Sequence, residues 1–448
     1  MIRTARGVAW HVLERVESDR AWADLVLHAA LRETDLERRD RAMATELAYG
    51  TLRVRGRLDA ALAQVSGRKL EQLESRLLNL LRMGAYQVMF LDNVPHAVAC
   101  DQTVQLARHG GLDRAAGLVN AVLRKLSEQH PKGLRYAELA EDPLKHLTDW
   151  GSLPAWLAER WLQELGPEQA AELAGVCSRP PPRTVRVSPG QDVDALAERL
   201  RGRRGRYAPM CLTDLRLDPV RDEGFDRGEF TIQDEASQLV PLLVAAQPGE
   251  SVLDCCAAPG TKTIQLAQDV GPRGEVIALE LHAARIALIM RSAKRLDLHN
   301  VRALERDSSK AFDLQGRAYF KRMLVDAPCS GLGTLRRNPD ARWHLRPTEI
   351  QRCADGALAI LGNAARYVEP GGVLVYSVCT FTPEETRGVL QRFLEQQPDF
   401  QVDDPKPWLP ETAHALIDGD GAVRTLPHLH GCDGFYAVRL SRREPRRR

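Results

Sequence analysis

The second half of the chain alternates between short apolar runs of strand length and segments with the apolar spacing of helices. The runs cover residues 251–256, 275–280, 300–304, 322–326 and 372–377, and helical patterns lie between them. Parallel strands joined by helices in repeated order form a doubly wound sheet with helices on both faces. We therefore expect an α/β, Rossmann-like domain over residues 236–448, with ligands at the carboxyl ends of its strands.

Each of the first four predicted strands ends at or near an acidic residue: Asp254, Glu280, Asp307 and Asp326. One such acid alone is more often a helix cap or a surface turn, but four at successive strand ends should line one crevice. Glu280 lies 20 residues after Gly260, the spacing at which an acid on the second strand binds a ribose hydroxyl pair. Asp307 is placed to meet an adenine amino group, so the predicted ligand contains adenosine.

The turn after the first strand indicates which adenosine compound fits. Residues 257–263 read AAPGTKT and contain one glycine. A dinucleotide fingerprint needs three glycines, and a P-loop needs a glycine directly before its lysine, where this chain has Thr261. Since a phosphate cradle is missing, the sequence favours S-adenosylmethionine, whose cationic sulfonium suits a crevice lined by acids.

Two cysteines follow strand ends, Cys329 within DAPCSGLG (326–333) and Cys379 within YSVCT (376–380). A single cysteine is usually a small buried hydrophobe, but two on adjacent strand ends, one close to Asp326, indicate nucleophilic chemistry. A thiolate that adds to carbon 6 of cytosine converts carbon 5 into a nucleophile that can attack a methyl group. Asp326 can hydrogen-bond the N3/N4 edge of the base and favour that addition.

The chain before residue 236 predicts two further domains. Residues 1–130 have helical apolar spacing and predict a helical bundle, to which short basic runs give some RNA-binding potential. Residues 152–235 predict a small α+β linker domain. It carries five arginines between Arg199 and Arg206 with no acid among them. Such a run is usually a solvated face, but here it is a candidate for RNA phosphate contacts.

Composition excludes several classes of protein. The 62 Lys and Arg against 60 Asp and Glu give a net charge of +2, which neither demands nor excludes a nucleic-acid partner. The nine cysteines include no C-x-x-C pair, so neither a metal site nor a disulfide framework is expected. Apolar runs fall far short of the roughly 20 residues of a membrane span, and the first seven residues lack a signal-peptide pattern. We expect a soluble, cytoplasmic monomer.

The motifs together resemble those of the NOL1/NOP2/Sun family of RNA cytosine-5 methyltransferases. DCCAAPGTKT (254–263) is similar to the family's DxCAAPGGKT cofactor motif, and the two cysteine motifs are similar to DAPCSGxG and YSTC[ST]. PEE (383–385), QDEAS (233–237) and DGFYA (433–437) also match, while GAYQ (84–87) and VNAVLR (119–124) resemble a NusB-like domain. The chain is most similar to the bacterial Sun/Fmu group. That resemblance implies an S-adenosylmethionine-dependent enzyme for cytosine 967 of 16S ribosomal RNA.

The resemblance also implies a role for each matching residue. Cys379 is the nucleophile, Cys329 assists product release, Asp326 activates the base, and Lys262 lies beside them. The cofactor-binding residues implied are Cys256, Ala257, Ala258, Pro259, Gly260, Lys262, Glu280, Arg285, Asp307 and Asp326.

Three residues depart from the family pattern without removing a reactive group. Thr261 replaces a glycine, and a positive φ there would cost about 1 kcal/mol or more. Glu280 replaces the commoner aspartate and keeps a carboxylate. Val378 replaces threonine beside Cys379 and loses a hydroxyl group.

Two alternatives stay open. The same chemistry could act on transfer RNA or on another ribosomal site. The chain could also be a non-catalytic RNA-binding factor that keeps the fold as a scaffold. The presence of Cys329, Cys379 and Asp326 argues against a scaffold, which has no use for them.

Overall fold

The computed structural model describes residues 3–130, 132–314 and 319–444. Met1 and Ile2, on which part of the signal-peptide argument depends, lie outside them. The chain divides into two compact units. The first comprises Met1–Pro180 and Leu335–Leu345, and the second comprises Pro181–Thr334 and Arg346–Arg448. None of the helices in these ranges combines the length and apolar composition needed to cross a lipid bilayer.

The helices are numbered in chain order. The first ten are α1 Ala5–Ser18, α2 Ala23–Arg32, α3 Arg38–Arg53, α4 Arg55–Val65, α5 Ser75–Phe90, α6 His96–His109, α7 Ala116–Gln129, α8 Pro143–Asp149, α9 Ala155–Leu165 and α10 Pro167–Cys177. The others are α11 Val193–Leu200, α12 Glu223–Asp226, α13 Glu235–Val244, α14 Thr261–Val270, α15 Ala283–Arg295, α16 Ala341–His344, α17 Pro347–Ala365, α18 Arg387–Gln396 and α19 Pro427–His430.

The strands are numbered in the same way. They are β1 Val185–Val187, β2 Arg203–Arg204, β3 Cys211–Thr213, β4 Phe230–Ile232, β5 Ser251–Asp254, β6 Glu275–Glu280, β7 Val301–Glu305, β8 Phe320–Asp326, β9 Val368–Val378, β10 Phe400–Val402, β11 Val423–Thr425 and β12 Phe435–Arg442.

The first unit is helical, as its apolar periodicity predicts. Buried residues recur at helical spacing along α1, α3, α5 and α7 and form one core with Trp10, Leu47, Leu80 and Leu123 inside it. The Thr4 side chain caps α1 by accepting a hydrogen bond from the Gly7 N–H at 3.0 Å. This bundle holds the residues that resemble a NusB-like domain.

A segment from the second half of the sequence belongs to this helical unit. Leu335–Leu345 follows the DAPCSGLG motif directly and contains α16. Arg342 is fully buried and donates to the carbonyls of Cys177 (2.8 Å) and Ser152 (3.1 Å). The Trp343 indole donates to the Leu52 carbonyl at 2.8 Å. The sequence gives no sign of this arrangement, because the segment reads as a polar loop between β8 and α17.

The second unit begins with a small sheet and its helix. The strand order is β2-β3-β1-β4, and all pairs are antiparallel. Helix α11 is capped by Asp192, which accepts hydrogen bonds from the N–H groups of Asp194 and Ala195. Its buried leucines, Leu196 and Leu200, pack with Val185, Val187, Leu212, Leu215 and Phe230. This agrees with the α+β pattern predicted after the proline run.

The larger sheet has the order β10-β12-β9-β8-β5-β6-β7, and β11 pairs with β12. Strands β5 to β9 are parallel, as the alternation of strands and helices predicts. Strands β10, β11 and β12 are antiparallel additions at one side, so the sheet is mixed. Apolar clusters cover both faces, which explains the continuous apolar runs of the central strands.

The linker domain was expected to begin at residue 152, but α9 and α10 lie in the first unit, whose first segment ends at Pro180. The physical reason is the packing at the end of α10. The Ser178 hydroxyl donates to the Gly151 carbonyl at 3.2 Å, and Arg342 binds the last carbonyl of α10. The rigid proline run that follows, residues 180–182, separates this helical pair from β1.

Candidate functional site

The turn between β5 and α14 is shaped by Gly260, which has φ +107° and precedes the helix. A Cβ atom at this position would lie 3.1 Å from the Ile289 backbone, so the close approach also favours glycine. Thr261 is the first helical residue and does not have a positive φ. The cost considered for its replacement of a second glycine therefore does not arise, because Gly260 alone adopts the left-handed conformation.

The predicted cofactor residues Cys256, Ala257, Ala258 and Pro259 form the start of this turn. Its backbone is fixed to the sheet, since the Ala257 N–H donates to the Leu279 carbonyl at 3.0 Å. Pro259 is exposed, whereas Ala257 is buried. The turn thus presents a short backbone surface at the carboxyl edge of β5 and β6, and it has no series of glycines to accommodate a pyrophosphate.

Asp254 stands apart from the other strand-end acids because it is buried beneath the turn. Its Oδ2 accepts a hydrogen bond from the Thr263 hydroxyl at 2.7 Å. Burial raises the pKa of Asp254 to about 7. This carboxyl group fixes the start of α14 from below and is not at the crevice surface.

Glu280 and Asp307 lie at the ends of the neighbouring strands, as predicted. Glu280 accepts from the His282 N–H at 3.1 Å, and Arg285 Nη1 lies 3.7 Å from the same carboxylate oxygen. Asp307 accepts from the Ser309 hydroxyl at 2.6 Å and has Lys310 Nζ at 3.0 Å. These two partners lower the pKa of Asp307 to about 2, so it is ionised at neutral pH.

Asp326, at the end of β8, has a partner on each carboxylate oxygen. Lys262 Nζ lies 2.7 Å from Oδ2, and the Ser377 hydroxyl donates to Oδ1 at 2.6 Å. Lys262 Nζ also lies 5.0 Å from the centre of the Phe435 ring. Residues from four separate motifs meet here. Sequence reasoning named Asp326 and Lys262 but gave no role to Ser377 or Phe435, although both lie in matched motifs.

The two predicted cysteines are in contact. Cys329 Sγ and Cys379 Sγ are 3.4 Å apart, close enough for one thiol to donate to the other sulfur. Both side chains are partly exposed, and both cysteines are free. The hydrogen bond with Cys379, together with burial, raises the pKa of Cys329 well above the usual cysteine value. The raised pKa favours the neutral thiol form of Cys329, which can share a hydrogen bond with the Cys379 sulfur.

The loop after Cys329 is fixed by backbone contacts to two other motifs. The Gly333 N–H donates to the Cys379 carbonyl at 3.0 Å, and the Gly434 N–H donates to the Gly333 carbonyl at 2.8 Å. A Cβ atom at Gly333 would lie 1.9 Å from the Gly434 carbonyl oxygen, so only glycine fits. The DGFYA segment thus holds the loop that carries Cys329.

A buried carboxylate that sequence reasoning did not assign completes this region. Glu385 accepts from the Ser330 N–H and the Ser330 hydroxyl, each at 2.6 Å. The only sequence signal for it was its place in the PEE match.

The arginine run was predicted to contact RNA phosphates, and the structure gives most of it protein partners. Arg203 lies 2.7 Å from Asp214, Arg204 lies 2.7 Å from Asp194, and Arg199 lies 3.0 Å from Asp222. The acids come from neighbouring elements, which is why the run looked unbalanced in sequence. Arg206 lies over the Tyr207 ring, 5.2 Å from its centre.

Comparisons with known proteins show which family the chain is similar to. The profile of the family described as 16S rRNA methyltransferase RsmB/F matches residues 241–441, and that of the NusB family matches residues 3–128. The Bacillus subtilis protein named "Probable ribosomal RNA small subunit methyltransferase B" is 33% identical over 98% of this chain and 99% of that protein. The ribosomal RNA small subunit methyltransferase B of Sodalis glossinidius is 32% identical over 91% of each chain.

A solved structure shares the fold over almost the whole length. The crystal structure of PH0851 covers 97% of this chain and 98% of its own, with a TM-score of 0.78 and 24% identity. The fold class and the helical NusB domain expected from the sequence are therefore confirmed. The full-length identity to the relatives and the two family profiles establish that the chain belongs to the RsmB/F family of S-adenosylmethionine-dependent 16S rRNA methyltransferases.

Proposed function

We propose that this protein methylates carbon 5 of a cytosine in 16S ribosomal RNA through a covalent bond between Cys379 and carbon 6 of the base. The observation that carries the proposal is the contact between the Cys329 and Cys379 sulfurs at 3.4 Å, at the sheet edge that holds Asp326. Two thiols beside a carboxylate suit a reaction that needs a nucleophile and a separate group for release.

The donor set at the neighbouring strand ends fits S-adenosylmethionine. Glu280 supplies a carboxylate for a ribose hydroxyl pair, and Asp307 supplies an ionised carboxylate. We assign the cofactor to Cys256, Ala257, Ala258, Pro259, Gly260, Lys262, Glu280, Arg285, Asp307 and Asp326. When bound, S-adenosylmethionine supplies an electrophilic methyl group.

Different protein residues act on different atoms of the base. The Cys379 thiolate forms a bond to carbon 6, and the electron pair of the 5,6 double bond is shifted so that carbon 5 becomes nucleophilic. Asp326 accepts a hydrogen bond from the N4 edge, and Lys262 and Ser377 hold its two oxygens in place. After carbon 5 has gained its methyl group, a base removes the carbon-5 proton. The carbon 6–sulfur bond then breaks with its electron pair returning to sulfur.

Cys329 is assigned to the release step. Its raised pKa keeps it protonated, and its sulfur lies 3.4 Å from that of Cys379, so its thiol can stabilise the thiolate that leaves carbon 6. A thiol in this position does not compete as the attacking nucleophile, because a neutral thiol is a weak nucleophile. The two chemically identical side chains are thereby given different roles.

A ribosomal RNA substrate is supported by the relatives, which are named ribosomal RNA small subunit methyltransferases. We propose cytosine 967 of 16S ribosomal RNA as the target. The test incubates the protein with labelled S-adenosylmethionine and either 16S ribosomal RNA or transfer RNA, followed by nucleoside mass spectrometry. We expect 5-methylcytidine in 16S ribosomal RNA. Methylation of transfer RNA alone, or of an atom other than carbon 5, would refute the assignment.

The roles of the cysteines are tested separately by trapping. Cys379→Ala should abolish methylation and leave no covalent RNA adduct. Cys329→Ala should accumulate a protein–RNA complex that survives denaturing electrophoresis and requires the methyl donor. Lost packing alone predicts the same behaviour for both variants. The reverse pattern would exchange the roles, and unchanged methylation in both variants would refute the nucleophilic role of these cysteines.

A further inference from the structure

Glu385 is a buried carboxylate whose partners are all neutral. Glu385 is only 1% exposed. Oε1 accepts from the Ser330 N–H, and Oε2 accepts from the hydroxyls of Ser330 and Thr382 at 2.6 and 2.7 Å. Burial raises the pKa of Glu385, and these donors oppose the rise. The Glu385 carboxylate therefore accepts from three donors, and none of its described partners is a cation.

These partners adjoin both cysteines. Ser330 directly follows Cys329, and its hydroxyl oxygen lies 3.0 Å from that of Thr380, which directly follows Cys379. A hydroxyl has one proton, and that of Ser330 goes to Glu385, so Thr380 must be the donor to Ser330. One carboxylate thus orders a chain of hydrogen bonds that joins the residues after the two cysteines.

The backbone around Glu385 is held by two further hydrogen bonds. The Tyr376 hydroxyl donates to the Glu385 carbonyl at 2.6 Å, and Tyr376 lies in β9 just before Cys379. The Thr386 N–H donates to the Thr382 carbonyl at 3.1 Å, which closes the turn. Glu385 is therefore anchored to the strand that carries Cys379 while it binds the loop that carries Cys329.

A purely structural contact between two segments does not require a buried charge. Burying a carboxylate without a cation is costly, and apolar packing of the same volume is often at least as stable. A carboxylate, however, can accept three hydrogen bonds at once and thereby fix both the backbone and the side chain of one residue. That property matters where a position has to be held within a fraction of an ångström.

We propose that Glu385 is a positioning residue that sets the separation of the Cys329 and Cys379 sulfurs. It does so by holding Ser330 through two bonds and, through the Ser330 hydroxyl, Thr380. For its effect on catalysis the inference rests on the proposed function, because it matters only if Cys329 acts on the Cys379 adduct. The geometric part can be tested without RNA.

The first experiment measures how readily the two sulfurs join. Diamide takes one hydrogen atom from each thiol, forms the disulfide and is itself reduced to a hydrazine. The sulfurs must approach from 3.4 Å to about 2.05 Å. We expect this closure to be faster when the two loops are held beside each other than when they can separate. Mass spectrometry of tryptic peptides reports the rate of the Cys329–Cys379 link. Glu385→Ala should slow it about tenfold, and Glu395→Ala, the loss of an exposed carboxylate on α18, should leave it unchanged.

Two further variants keep the test decisive if Glu385→Ala does not fold. Glu385→Gln retains an acceptor for the Ser330 N–H, and its amide can donate to the two hydroxyls, so linking should stay within about threefold of the wild-type rate. Ser330→Ala removes only the hydroxyl bridge and should slow linking about threefold. Wild-type linking rates in folded Glu385→Ala, or in Ser330→Ala when Glu385→Ala is unfolded, overturn the inference.

The second experiment measures the effect of Glu385→Ala on formation and release of the RNA adduct. Glu385→Ala should still form the RNA adduct but release it slowly, so the covalent complex accumulates as in Cys329→Ala, while the KM for RNA stays unchanged. A protein damaged only in stability would lose adduct and product together. If wild-type protein makes no 5-methylcytidine, the proposed function fails and the diamide rates alone decide the inference. If wild-type protein makes 5-methylcytidine and Glu385→Ala releases product normally, the inference about Glu385 fails while the proposed function stands.

Discussion

Replacing Arg342 by methionine should loosen the first unit locally. Arg342 is fully buried, and its guanidinium meets carbonyls at the ends of two helices. Cys177 is the last residue of α10 and Arg53 is the last residue of α3, and their carbonyls lie 2.8 and 3.4 Å from the guanidinium. The Ser152 carbonyl lies at 3.1 Å. The negative ends of two helix dipoles therefore converge on one cation.

The size of the effect follows from these contacts. A hydrogen bond from a charged donor contributes about 1.5–3 kcal/mol, and the bonds at 2.8 and 3.1 Å are short enough to count fully. Part of this gain is offset by the cost of burying the cation, since burial lowers the pKa of Arg342 to about 10. Methionine fills much of the space but leaves the carbonyls without donors. We expect a net loss of about 3 kcal/mol.

Hydrogen exchange measured by mass spectrometry is the appropriate assay, because a chain of two units need not unfold in one step. A loss of about 3 kcal/mol corresponds to roughly 10²-fold faster exchange in peptides from the ends of α3 and α10, where opening becomes easier. Arg352→Met is the matched control, since Arg352 is 81% exposed. A change of less than threefold in those peptides would refute the idea that Arg342 fastens the two helix ends.

Three further predictions concern the second unit. Glu280→Ala and Asp307→Ala should each weaken S-adenosylmethionine binding by about 1–3 kcal/mol in calorimetry, the cost of unpaired polar groups. Burial raises the pKa of Asp254 to about 7, whereas in the unfolded state this carboxyl loses its proton near pH 4. Between about pH 4 and 7 only the folded state therefore keeps the proton. Stability should fall as pH rises through that window, and Asp254→Asn should reduce the fall in melting temperature. Arg203→Gln should change the salt dependence of RNA affinity less than Arg206→Gln, because Arg203 is already paired with Asp214.

Each of these has an outcome that contradicts it. Unchanged affinity in both acid variants would mean that the cofactor does not lie along the ends of β6 and β7. An Asp254→Asn protein with the same pH dependence as wild type would show that the buried carboxyl does not titrate in that window. Equal salt slopes for the two arginine variants and the wild type would mean that the run is only a solvated face.

The sequence predicted β5, β6, β8 and β9 well because each is largely buried and contains an apolar run. It did not predict the antiparallel strands β10, β11 and β12, whose pairing depends on the chain returning beside β9. Tyr436 pairs with Val378, and Ser441 pairs with Val373. No local period in residues 435–442 distinguishes a strand that reverses direction from one that continues a parallel sheet.

The site residues could likewise be predicted where local sequence was sufficient, and not where the role depends on a distant partner. The acids and cysteines could be named because each follows a strand, and a parallel sheet brings strand ends together. Ser377 and Glu385 could not be given roles from the sequence, because a role depends on the partner. The partner of Ser377 is 51 residues away, and that of Glu385 is 55 residues away.

The segment 335–345 shows why charge in a sequence does not always mark a surface. Residues 336–344 contain three arginines, an aspartate and a histidine, and by composition they predict a solvated loop. Arg342 and Asp340 are nevertheless buried, since Arg342 meets backbone carbonyls and the Asp340 carboxylate accepts from the Ala23 N–H at 2.9 Å. Free backbone groups at helix ends are invisible in a sequence, yet they need partners as strongly as charged side chains do. A polar segment that supplies those partners is therefore drawn inside, which is how residues that directly follow the Cys329 loop in sequence come to complete the core of a helical domain.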